Sequence, residues 1–143
     1  MKPLEHRSVQ CIYCDDIRDE VDGKTTIVGW YGSEFVQMPP EGALVLPTLG
    51  VIALVVMPPE PRFESFRLEL LQGETLLQGI DLPPEAVANL QAENEDAENK
   101  SMGRQVRIAI RLQNLLVAEP GVIALRVILD KEVLHANRLR FKR

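Results

Sequence analysis

The chain predicts an all-β fold, an antiparallel β-sandwich of about eight strands, and three observations carry that expectation. Apolar and polar residues alternate at period two in most segments. Prolines cluster at Pro39-Pro40, Pro58-Pro59-Pro61 and Pro83-Pro84, with Pro120 before Gly121, and the stretches between them have strand length. One short segment alone has helical character. A closed barrel is the alternative arrangement of the same strands.

The elements follow in order. Ser8 to Arg18 places Val9, Cys11, Tyr13 and Ile17 on one side and Ile12 and Cys14 on the other. Asp22-Gly23 supplies a two-residue turn that pairs Val21 with Lys24, Ile17 with Val28 and Cys14 with Tyr31, making a long hairpin of Ser8 to Val21 and Lys24 to Gln37. Thr48 to Met57 is a third strand, apolar on both faces, as suits the centre of a sheet or a face covered by another subunit. Ser65 to Leu71 alternates and turns back at Gln72-Gly73 into Glu74 to Ile80. After Pro83-Pro84, Glu85 to Gln91 makes a short helix packing Val87 and Leu90, with the prolines at its start. Glu93 to Lys100 follows as a polar, acidic, exposed connection. Three more strands present Val106, Ile108, Ile110 and Leu112, then Ile123, Leu125, Val127 and Leu129, then Leu139 and Phe141, with a join around Asp130-Lys131-Glu132.

At 143 residues, 45% hydrophobic and 26% charged, residues 1–143 have the size and apolar content of one globular domain with its own core. Met1 to Gln10 carries Lys2, Glu5, His6 and Arg7 without an apolar run, so it does not read as a secretory signal and a cytoplasmic location is expected. The most hydrophobic stretch, Leu44 to Met57, is interrupted by Pro47 and Gly50 and falls short of the roughly 20 residues of a spanning helix, which argues against a membrane. The net charge is −5, but its sign is divided along the chain. From Arg104 onward seven Arg and two Lys face three acids, a net +6, while the first 103 residues carry −11.

The residues Cys11-Ile12-Tyr13-Cys14-Asp15-Asp16-Ile17-Arg18, Gly23-Lys24 and Val28-Gly29-Trp30-Tyr31-Gly32 resemble the opening of a family of short, uncharacterised bacterial and phage proteins with a domain of unknown function. The specific likeness covers about the first quarter of the chain, with only a general β pattern beyond it. It implies a small β-sandwich of phage or prophage origin and brings no activity and no catalytic residues.

Cys11 and Cys14 have the spacing of zinc and redox pairs, yet in a regular strand they point to opposite faces. A tetrahedral zinc would also need two further ligands, and the histidines are only His6 and His135. Two reduced, half-buried thiols are expected, with no metal and no cofactor. Asp15, Asp16, Asp19, Glu20 and Asp22 lack the second acidic loop that a calcium site of this fold class would use, so they read as a solvated hairpin end with Asp22 and Gly23 serving the turn. Alternation puts Asp15 on the inward side, where it needs a partner such as backbone N–H groups or an arginine and acts as a structural anchor. No Gly-x-Ser-x-Gly elbow, Gly-x-Gly-x-x-Gly loop or P-loop occurs, so the chain is read as a non-enzyme.

The outward register of the C-terminal strands carries Arg107, Arg111, Arg126, Arg138, Arg140 and Lys142, which predicts one basic sheet face for an anionic partner. The alternative is a solvated surface whose arginines pair with the chain's own carboxylates. Nucleic acid is disfavoured because the positions beside these arginines lack stacking aromatics and the rest of the chain is acidic. Trp30, Phe35 and the two-faced Leu44 to Met57 segment offer surplus apolar area for a protein partner or self-association. The expected task is therefore a protein-interaction or assembly module, homo-oligomeric or heteromeric. A domain binding an anion or small ligand on the basic face is second, and a metal-dependent protein using Cys11, Cys14 and His6 third.

Overall fold

The computed structural model describes residues 6–32, 35–92 and 103–143. Its elements are β1 (Ser8–Asp19), β2 (Thr25–Trp30), β3 (Phe35–Gln37), β4 (Leu44–Met57), β5 (Phe66–Gln72), β6 (Thr75–Asp81), α1 (Pro84–Ala92), β7 (Arg104–Val117), β8 (Gly121–Leu129), β9 (Glu132–His135) and β10 (Leu139–Lys142). The fold is all-β, in two mainly antiparallel sheets. The first has the order β2-β1-β4-β7, and the second the order β3-β10-β8-β5-β6 with β9 also on β8.

The alternating apolar positions explain how the sheets meet. Val9, Cys11, Tyr13, Val51, Ala53 and Val55 of the first sheet share one buried cluster with Phe66, Leu68, Leu70, Ile123, Leu125 and Val127 of the second. Burying each large side chain contributes roughly 1.5–3 kcal/mol, and the two inner faces bury theirs against each other as a sandwich. Helix α1 begins on Pro84, whose missing N–H has no partner to lose in a first turn, and it adds the buried Val87 to the same core. The acidic connection expected from Glu93 to Lys100 lies outside the described residues.

There are ten strands instead of about eight, for two reasons. The segment expected as one strand to Gln37 is two strands, β2 and β3, in different sheets, and β3 runs parallel to β10. The last lane is also broken into β9 and β10, which pair with successive parts of β8 on either side of Asn137.

The opening hairpin is shifted by one residue from the two-residue turn expected. Ile17 pairs with Ile27 and Cys14 with Trp30. Glu20 N–H donates to Lys24 O (2.7 Å) and Gly23 N–H to Glu20 O (3.1 Å), closing a three-residue loop in which Gly23 has φ 83°. A three-residue hairpin loop requires a left-handed residue at that position, and glycine supplies it. The second hairpin is likewise one residue on: Gly73-Glu74 forms the turn between Gln72 and Thr75. β8 and β9 turn at Asp130-Lys131, as expected.

Strand β4 explains its two apolar faces. It lies between β1 and β7, and its outer side belongs to a second cluster in which Ile52, Cys14 and Ile17 are buried, with Ile12 and Leu54 against them. Ile17 was expected beside Cys11 and Tyr13 on the inner side. Instead Cys14 Sγ and Ile17 Cγ1 both stand over Gly50, where an added Cβ would approach them to 2.8 and 2.7 Å. Alternation therefore reverses between Cys14 and Ile17, at the point where the β1–β2 ladder skips Asp15 and Gly29 takes φ 67°. β4 also runs through Pro47 instead of beginning at Thr48. β1 covers it only from Gly50 to Val56, so at Pro47 that side has no described neighbouring strand asking for a donor.

Two predictions follow from these contacts. Gly50→Ala should destabilise the fold by about 1–3 kcal/mol, because Ile17 and Cys14 must move from a packed cluster; urea denaturation measures it. Glu69, held by Arg126 and Arg67, and Asp130, which accepts the N–H groups of Glu64 and Ser65, both titrate below the ordinary carboxylate range. Their stabilisation is complete above the unfolded-state values and is lost as acidification protonates them, so the urea midpoint should fall from about pH 5 to about pH 3. The double variant Glu69→Gln, Asp130→Asn should show a flatter fall.

Candidate functional site

Two adjoining features at one end of the sandwich carry the chemistry: the outer edge of β2, which no other described strand pairs, and a cleft beside it. β2 closes the first sheet on one side, and every residue from Thr26 to Trp30 is exposed. Ile27 is 39%, Val28 37% and Trp30 68% exposed, and Thr25–Trp30 contains no charged residue. Exposed edges are ordinarily blunted by charge or by covering side chains. The other end strands have such features. β7 presents Arg107 and Arg111, Arg67 lies over Gly79 of β6, and three-residue β3 has Lys142 Nζ 4.9 Å from the Phe35 ring centroid.

The cleft, about 360 Å³, opens where β1 and β2 of the first sheet face the β9–β10 break of the second, between Cys11, Tyr13, Trp30, Tyr31, Asn137, Arg138 and Arg140. Its floor is held by Asn137. Cys11 N–H donates to Asn137 Oδ1 (2.7 Å), Asn137 Nδ2 donates to Cys11 O (3.0 Å), and Tyr13 Oη donates to Asn137 O (2.7 Å). A side-chain amide thus takes the place of a neighbouring strand along the part of β1 that β2 does not reach. Tyr31 is fixed in turn by donating from its hydroxyl to Asp15 Oδ1 (2.7 Å), and burial together with that bond pushes its phenol up to about 12.

The partner of Asp15 is thus a tyrosine, and Asp15 is exposed, contrary to the inward placement that alternation suggested. The ladder reversal at this residue is the reason. Asp22 and Gly23 serve the turn as expected: Asp22 accepts Lys24 N–H at 3.2 Å. The other tip carboxylates are spread among separate partners, Asp16 with Arg18 (3.6 Å), Asp19 with Arg111 (2.9 Å) and Glu20 with Thr26 Oγ1 (2.7 Å). Among the described residues no three acidic, histidine or cysteine side chains are grouped to hold a metal ion.

The single basic face is corrected by the topology. Arg107 and Arg111 belong to β7 in the first sheet, whereas Arg126, Arg140 and Lys142 belong to strands of the second and Arg138 to the segment just before β10, so the sandwich separates them. Period-two reasoning finds which residues point outward but not which sheet each strand joins. Several are also already engaged. Arg126 Nε meets Glu69 Oε1 at 2.6 Å, Arg111 Nε donates to Ile17 O at 3.3 Å besides its bridge to Asp19, and Lys142 lies on Phe35. Arg138 and Arg140 line the cleft, Arg138 also lines a second cavity with Arg126 and Glu74, and neither Arg138 nor Arg140 forms an ion pair with a described residue.

Both cysteines are free and buried, in different clusters, so one ion cannot touch both. Burial pushes the Cys11 thiol up to about 12, which leaves it almost entirely protonated near neutrality and poor as a nucleophile. Sequence reasoning missed Asn137 and Arg104. Asn137 sits at a strand break, where periodicity has nothing to report. Arg104 was legible, being in phase with Val106, Ile108 and Ile110, and it is only 5% exposed. Its guanidinium donates to Gln91 Oε1 (2.6 Å) and Pro59 O (2.8 Å) and lies 5.6 Å from the Phe63 ring centroid, tying β7 to α1 and to the turn after β4. No helix among the described residues is long and apolar enough to cross a membrane.

Removing the amide in Asn137→Ala should cost about 1–3 kcal/mol by orphaning the Cys11 N–H and C=O, read by urea denaturation. It should also quicken hydrogen exchange at the Cys11 amide, while the exchange of Val127 in the second sheet is unchanged until global unfolding.

No curated protein matches the chain. A family of unknown function matches residues 10–142, nearly the whole length, well beyond the opening hairpin. The chain therefore belongs to that family, DUF6941, a family of unknown function.

Proposed function

We propose that this protein is a non-enzymatic assembly module that recruits a protein partner by adding a strand to β2. The observation that carries the reading is the uncharged, apolar, solvent-facing edge Thr25–Trp30 in a molecule whose other end strands are short, charged or overlaid. Backbone N–H and C=O groups along such an edge supply affinity, and the side chains beside them supply specificity. A second copy is the first partner to consider. An antiparallel β2–β2 pair is its own complement about a two-fold axis, and with no charge in the strand it sets no like charges opposite each other.

The high pKa of the Cys11 thiol and the exposure of His6 and His135 support a binding role over nucleophilic catalysis. The resemblance of the opening hairpin adds a bacterial, phage or prophage source to this reading.

Native mass spectrometry across a salt series tests it on wild type and on Ile27→Lys. Multimers in the wild type that persist as salt rises, and that are lost in a normally folded variant, are the expected result, because backbone bonds and apolar contacts are little screened. A wild type that stays monomeric, or a variant that associates equally well, would overturn self-assembly through β2.

A further inference from the structure

We infer that the cleft between the two sheets is a binding site for a small aromatic phosphate, a ligand of mononucleotide type with a flat ring and a phosphoryl group. The site adjoins the β2 edge and shares Trp30 with it, but its charged side chains, Arg138 and Arg140, come from β10 and the segment before it, and its occupant is a small molecule.

Arg140 lies on β10 and Arg138 on the segment just before it, and both line the cleft. In a chain with 21 acidic residues and a net charge of −5, these two guanidiniums form no ion pair with any described residue, although Arg18, Arg67, Arg111 and Arg126 each do. Two uncompensated guanidiniums facing one space suit a dianion. A phosphate monoester near neutral pH carries about −1.5 to −2 charge and accepts the paired N–H forks that arginine presents.

The opposite wall is aromatic. Trp30 is 68% exposed at the mouth, with Tyr31 beside it, which gives a flat, polarisable surface for a ring. The hydroxyls of Tyr13 and Tyr31 are committed to Asn137 O and Asp15, so the walls are set before any ligand arrives. A volume of about 360 Å³ lies at the small end of the range for ligand pockets, which matches a mononucleotide better than a polymer.

Trp30 is the sole tryptophan of the chain, so its fluorescence reports the site directly. Titration of the wild type with adenosine monophosphate should quench it saturably, with inorganic phosphate alone and adenosine alone each binding at least about tenfold more weakly. Arg138→Ala and Arg140→Ala should each weaken binding by about tenfold or more, while Arg107→Ala, on the other sheet, leaves it unchanged. Calorimetry with Trp30→Ala, whose fluorescence is gone, should show weaker binding. Repeating the titration on Ile27→Lys separates this inference from the assembly reading, because a variant unable to pair through β2 should bind adenosine monophosphate as the wild type does. The inference is overturned by no saturable binding of adenosine monophosphate, by equal binding in the Arg138 and Arg140 variants, or by a short oligonucleotide binding more tightly than the mononucleotide.

Discussion

The hold of Asn137 on Cys11 is the contact on which this end of the molecule depends. β1 is longer than β2, so part of its backbone on the β2 side has no strand beside it among the described residues. A side-chain amide from the opposite sheet satisfies that backbone at 2.7 and 3.0 Å. One interaction thus closes the sandwich at an open corner, breaks the last lane into β9 and β10, and sets the floor of the cleft. It also bears on Arg138, which follows Asn137 directly in the chain, while Arg140 is held in the β10 ladder.

The second constraint is at Gly50. β4 is the most apolar strand and is covered on both faces, by the main core inside and by Cys14 and Ile17 outside. Those two residues reach the same spot only because alternation reverses at Asp15 and Gly29, and Gly50 leaves room for both. Arg111 then reaches from β7 across this strand to Ile17 O and Asp19, so the irregular end of β1 is held from two sides. The surplus apolar surface that Leu44 to Met57 suggested is largely used inside the protein. What remains exposed includes Val45 of β4 beside Leu116 of β7, and the apolar side chains of β2.

Charge follows the same division. Glu69 gathers Arg67 and Arg126 on one sheet, and Asp19 takes Arg111 on the other, so Arg111 and Arg126 of the basic C-terminal third are balanced by acids from the first half of the chain. Exposed pairs of this kind add little to stability, but they remove those arginines from any role in recognition. Membership of a family of unknown function leaves the site to be argued from geometry, and the geometry sets an uncharged edge beside two arginines that form no ion pair with a described residue.

By itself the sequence determined the fold class, the position of nearly every strand, the start of the helix and the inward phase of the core. These depend on local alternation, on prolines that cannot donate and on glycines that can take positive φ, all of which a single stretch of chain contains. It could also have shown Arg104 as a buried arginine, because that residue lies in the inward phase. Only the tertiary structure decided the rest. Hairpin register moved by one residue because Gly23 closes a three-residue loop, and Ile17 changed faces where the ladder skips Asp15 and Gly29. Six outward basic residues became two separate sets because strand pairing over long sequence distances assigns each strand to a sheet. The cleft has the same origin: Tyr13 and Trp30 meet Asn137, Arg138 and Arg140 across more than a hundred residues of chain, and no local pattern encodes a contact of that range.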